Sequence, residues 1–129
     1  MKILVGYDGS DAAKRALKLA QEHAKAIGVE VIHVLHAKVT DMPAKQHKLD
    51  EQELDDVRNA VEKEGCRCET HLLIRNMEPG PHLVDFAKKQ AIDAIFIGVR
   101  MRSKVGKFIM GSTAQHVILQ AACPVVSIK

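Results

Sequence analysis

The chain has 129 residues, 47% of them apolar and 27% charged, a balance that predicts one globular domain over 1–129 and excludes a disordered or fibrous class. Three Phe, one Tyr and no Trp imply an aliphatic core with no base-stacking platform, which argues against single-stranded nucleic acid as a partner. The formal charge of +3 is mild, and only Arg100 to Lys107 gathers cations without interleaved acids.

The run Lys2 to Tyr7 reads as a strand. No secretory h-region accompanies it, and no stretch in the chain approaches the ~18 apolar residues of a membrane span, so a cytoplasmic setting without membrane insertion is expected. Gly6-Tyr7-Asp8-Gly9-Ser10 then makes a tight turn. Asp8 there has two readings: its carboxylate accepts from ribose hydroxyls at a strand end, or with Ser10 it only caps the next helix. Ala13, Ala16, Leu17, Ala20, Ala24 and Ile27 recur at three- and four-residue steps, an amphipathic helix capped by Ser10 or Asp11 and closed by Gly28.

Val29 to Ala37 predicts the second strand. His33 and His36 stand three apart on it, so they face opposite sides and cannot share a metal; both are read as packing residues. Lys38 to Lys48 lacks periodicity and is expected to be a surface loop. Leu49 to Glu64, ended by Gly65, predicts the second helix, and Cys66 to Ile74 the third strand. Cys66, Cys68 and Cys123 are an odd number with one C-x-C pair, so neither a zinc site nor a disulfide framework is expected.

Pro81 to Gln90 predicts the third helix, Ala91 to Ile97 the fourth strand, Ser112 to Ala122 the last helix and Pro124 to Ile128 the last strand. The alternation β-α-β-α-β-α-β-α-β implies an α/β fold, a parallel sheet between two layers of helices, because each parallel crossover must span a helix. Ligands of such sheets bind beyond the carboxyl ends of the strands.

The segment Gly98 to Thr113 leaves the fourth strand with three glycines, four cations and a Gly111-Ser112-Thr113 that opens a helix. Those are the parts of a phosphate site: helix N-terminal N–H groups point at an anion, and a glycine lets it approach the main chain. Ser112 and Thr113 add hydroxyls to the ligand or only cap the helix. No G-x-x-x-x-G-K-[ST] and no G-x-G-x-x-G occurs. His116 on the last helix is read as a phosphate sensor or a solvated residue.

The opening Ile3-Leu4-Val5-Gly6-Tyr7-Asp8-Gly9-Ser10, Gly80-Pro81, Ala91-Ile92-Asp93-Ala94-Ile95-Phe96-Ile97-Gly98 and Ala122-Cys123-Pro124-Val125-Val126 resemble the universal stress protein family, and the resemblance spans nearly the whole chain. It implies a five-stranded parallel sheet in order 3-2-1-4-5, with the Asp8 turn beside the Gly98 loop. It also implies adenine-nucleotide binding, with Asp8 and Gly6 at the ribose turn, Ala37 meeting adenine through its backbone, and the phosphates on the last loop. Nucleotide-binding members share G-x2-G-x9-G-[ST]; here Gly98, Gly111 and Ser112 fit, while Met101 takes the second glycine's place. If that place needs a left-handed backbone, Met costs about 1–2 kcal/mol there. Arg100, Arg102, Lys104 and Lys107 could compensate through charge-assisted bonds.

A phosphotransferase needs acidic metal ligands and a base around the phosphate, and this loop offers cations, so no enzyme beyond slow ATP hydrolysis is expected. The resemblance therefore implies a dimeric regulatory protein of the stress response that binds ATP, with Mg2+, and acts on a client protein. The rival reading is a dimeric interaction module without nucleotide. The apolar last strand, an unprotected sheet edge, is the expected dimer seam.

Overall fold

The structure is a computed structural model that describes residues 1–39, 43–104 and 107–129, with side chains described over 1–39, 43–100 and 109–129. In chain order the elements are β1 (Lys2–Gly6), α1 (Asp11–Ile27), β2 (Val31–Lys38), α2 (Ala44–Lys63), β3 (Cys68–Ile74), α3 (Pro79–Lys89), β4 (Ala94–Gly98), β5 (Met101–Lys104), β6 (Lys107–Met110), α4 (Ser112–Gln120) and β7 (Val125–Ile128). β3-β2-β1-β4-β7 form one parallel sheet, and β5 pairs with β6 in a separate antiparallel ribbon. The 3-2-1-4-5 order holds once the ribbon, inserted between the fourth and last sheet strands, is counted apart.

Side chains alternate across the sheet. Ile3, Val5, Ile32, Val34 and Phe96 point into one core with α1 and with Leu54 and Val61 of α2. Leu4, Leu35, Ile95 and Ile97 point the other way, against Leu83 and Phe86 of α3 and Ala114 and Val117 of α4. Runs that are apolar on both faces belong to a sheet covered on both sides.

Several boundaries depart from the periodicity, among them the start of α3 at Pro79 and the end of α4 at Gln120, each two residues earlier than expected. The expected loop from Lys38 to Lys48 holds the first turn of α2, which begins at Ala44; Thr40, Asp41 and Met42 lie outside the described residues. That turn has no apolar spacing to announce it. Gln46 donates to Asp50, and the Lys38 ammonium pairs with the same carboxylate, tying the turn to β2. β2 and β3 begin two residues later than their apolar runs, at Val31 and Cys68. Ala91, expected to open the fourth strand, instead ends α3 in a left-handed conformation with φ 52°. Its N–H bonds to Lys88 and that of Ile92 to Ala87, the paired bonds of a Schellman cap, and β4 starts at Ala94. The loop from Gly98 to Thr113 contains the β5–β6 ribbon.

Candidate functional site

At the carboxyl ends of β1, β2 and β4 lies a cavity of about 550 Å³. Gly6, Asp8, Ala37, Gly98 and Arg100 line one side of it, and Gly111, Ser112 and Thr113 the other. Residues far apart in sequence meet here because β1 is paired on both sides, with β2 up to Gly6↔Leu35 and with β4 up to Gly6↔Ile97.

The β1–α1 turn is held by its own polar groups. Gly9 takes φ +81°, which a side chain disfavours, and the Ser10 hydroxyl caps α1 by accepting from Ala13 N–H at 3.2 Å. Asp8 accepts from Ser10 N–H at 2.9 Å and from the Arg100 guanidinium at 3.1 Å. Burial alone would raise the Asp8 carboxyl; the Ser10 hydroxyl and N–H and the Arg100 charge outweigh it and hold it below the ordinary aspartate value. The capping alternative therefore applies to Ser10, while Asp8 keeps an ionised carboxylate on the cavity wall. Tyr7 beside it donates to Glu53 at 3.1 Å, and burial followed by that carboxylate pushes its phenol up to about 12.

Ala37 presents main chain. Leu35 C=O accepts from Tyr7 N–H, the last bond between β1 and β2. Ala37, two residues on, turns its N–H and C=O the same way, past the end of β1 and toward the cavity. A planar heterocycle with donor and acceptor on one edge fits such a strand end.

The two marker glycines differ in kind. A Cβ on Gly98 would lie 2.4 Å from the carbonyl carbon of Ala12 and 2.7 Å from its oxygen, so Gly98 lets α1 rest directly on the end of β4. At Gly111 the nearest atom to a built Cβ is Arg100 O at 4.0 Å, so packing leaves its face open to the cavity. Gly111 is the N-cap of α4 and, having no side chain, makes no side-chain cap bond. Ser112 and Thr113 are therefore the first helical residues, not caps; both line the cavity, and their N–H groups belong to the first turn, which has no intrahelical acceptor for them.

The ends of the segment from Gly98 to Thr113 are joined by a bond from Gly111 N–H to Arg100 C=O at 3.3 Å, and the ribbon continues from it through Met101↔Met110 and Arg102↔Ile109. Met101 has strand backbone, so the left-handed cost does not arise at this position. The side chains of Met101, Arg102, Lys104 and Lys107 lie outside the described residues. His116 packs its ring against Gly80 between α4 and α3 and does not line the cavity.

The sequence reading missed the apolar lining: Leu35, Leu83, Ile97, Ile109 and Met110. Leu83 carries a signal as part of the core stripe of α3, but which core positions border a cavity depends on where the strands stop. A volume in the range of small-molecule pockets, apolar walls and a few convergent polar groups describe a site for a ligand with an apolar ring and an anionic end.

The sequence profile of the Universal stress protein family matches residues 1–129. A universal stress protein of Thermus aquaticus is 34% identical over 98% of this chain and 97% of its own length. The solved universal stress protein of Archaeoglobus fulgidus is 40% identical, with TM-score 0.84, over 100% of this chain and 98% of its own. A universal stress protein of the same organism, solved in complex with dAMP, is 36% identical with TM-score 0.82, over 100% of this chain and 98% of its own.

Proposed function

The chain belongs to the universal stress protein family, and from that premise we propose that it is a regulatory protein whose cavity binds an adenine nucleotide. The observation that carries the reading is the convergence of Ala37 main chain, the Asp8 carboxylate and the open α4 N-terminus at Gly111 around one 550 Å³ cavity. Adenine lies against Ala37 and the apolar wall of Leu35 and Leu83. The ribose faces Asp8, and the first phosphate sits on the N–H groups of Ser112 and Thr113 with Gly111 admitting it to the main chain. Arg100 leaves Asp8 to meet the phosphates, a change that costs little because an exposed pair of this kind contributes about 0–1 kcal/mol. The dAMP complex of the Archaeoglobus relative supports the ligand class.

In this reading the full ligand is ATP, and Mg2+ is held mainly by its phosphates, since Asp8 is the one carboxylate of the described cavity lining. The same scarcity of acids supports binding in place of turnover. One domain over 1–129 acts in the cytoplasm as a dimer joined along β7, and occupancy changes a surface read by a client protein.

Thermal unfolding with ATP, AMP and dAMP, with and without Mg2+, tests the reading. A bound nucleotide adds about 2.7 kcal/mol at 100 times its Kd, so Tm rises with concentration. Reversal of Arg100 and Arg102 to Glu removes that rise. No shift in large excess of ATP with Mg2+ leaves the chain as an interaction module without nucleotide.

A further inference from the structure

We propose that His33, Glu69 and His71 form a binding site for a divalent transition ion of the zinc class, clamping the edge strand β3 to β2. His33 and Glu69 are directly opposed in the β2–β3 register, and His71, two residues beyond Glu69, lies on the same face. His33 Nδ1 is 3.1 Å from His71 Nε2 and 3.4 Å from a Glu69 carboxylate oxygen. One ligand atom from each residue lies within 4.8 Å of the other two. Zinc with ligands at 2.0–2.1 Å in a tetrahedron separates those ligands by about 3.3 Å, so two of the three edges already have the required length. A small rotation of the half-exposed Glu69 side chain closes the third.

The surroundings favour the arrangement. Phe86 of α3 lies against both imidazoles, with ring centres 5.6 Å from His33 and 4.8 Å from His71, which limits their rotation. Without an ion, one ring donates to the other across the 3.1 Å gap. With an ion, both facing nitrogens supply lone pairs; the donating ring shifts its proton to its other nitrogen, and no proton is released from a neutral pair. Glu69 cancels one of the two positive charges, and its exposed edge leaves a fourth position for water. Two cations oppose the ion: Arg67, 3.0 Å from Glu69 and exposed, and Lys2, whose charge bears on His33. None of the three ligands lines the cavity at the sheet's carboxyl end, so the site stands apart from the proposed nucleotide site.

Titration of the tag-free, metal-stripped full chain with Zn2+ in a calorimeter, and with Co2+ followed by visible absorption, tests the proposal. The expected result is one ion per chain, a Tm that rises with free Zn2+, and the spectrum of tetrahedral Co2+. His71→Ala and Glu69→Gln each weaken binding by at least about tenfold, Arg67→Ala tightens it, and His23→Ala on the exposed face of α1 leaves it unchanged. Glu69→Gln alters a partly exposed side chain, so it remains informative if His71→Ala folds poorly. Absence of one-to-one binding, or affinity retained in both ligand variants, overturns the proposal.

Discussion

A methyl group on Gly98 would enter the carbonyl of Ala12, whereas one on Gly111 would meet only open cavity. Gly98→Ala is therefore expected to destabilise the fold by about 1–3 kcal/mol, the usual cost of overpacking, because α1 must shift off β4. Gly111→Ala should cost only about 0.5–1 kcal/mol, the difference between Gly and Ala as an N-cap, and on the proposed reading weaken nucleotide binding several-fold. Urea unfolding and nucleotide titration of the two variants separate the packing glycine from the glycine that faces the cavity. His82 gives a second residue-scale expectation. It is 1% exposed, and neither ring nitrogen has a hydrogen-bond partner among the described residues. Burial first, then the charge of Arg75, lowers its pKa below the ordinary histidine value. The unfolded chain thus takes up the proton first, so this contribution is complete above about pH 6.5 and is lost as pH falls through the folded value. His82→Leu should raise stability by about 1 kcal/mol at pH 7 and flatten the fall in stability below pH 6.5, measured as urea midpoints across that range.

Ala91 shows how an element can end against its own sequence. The Schellman bonds need a left-handed residue, and Ala pays about 1 kcal/mol there that glycine would not. Ala91→Gly is expected to raise Tm by about 4 °C, read by calorimetry. The apolar run Ala91 to Ile97 conceals this cap, because Ala91 and Ile92 pack at the end of α3 as readily as they would extend a strand. The β5–β6 ribbon was equally hidden: Met101 to Met110 mixes cations with apolar residues without alternation, and the Gly111 to Arg100 bond joins its base. The long regular stripes of α1 and the central strands, in contrast, could be read directly.

On the scale of the whole molecule, β7 leaves one backbone edge open within the sheet order. Pro124 and Ile128 carbonyls accept from Ile95 of β4 and from Val99 just beyond it, so the alternate residues Val125 and Ser127 turn their main chain outward. If β7 is the dimer seam, Ser127→Pro removes an outward donor while keeping the β4 ladder. Sedimentation should then show the wild type as a dimer and Ser127→Pro as a monomer with unchanged far-ultraviolet circular dichroism. A monomeric wild type counts against the seam.

The sequence by itself determined the strand–helix alternation, hence the parallel three-layer fold, because a two-sided apolar strand and a striped helix have one common packing. It also carried the turn at Asp8 and the glycines flanking the last loop, whose residue types are written locally. Tertiary structure decided which glycine packs and which faces the cavity, since both look alike until Ala12 is placed beside Gly98. It decided the strand backbone of Met101, and it brought His33 of β2 to Glu69 and His71 of β3. Spacing within one strand could rule out a pair between His33 and His36 but had no means of seeing a cluster whose members meet only through register between strands.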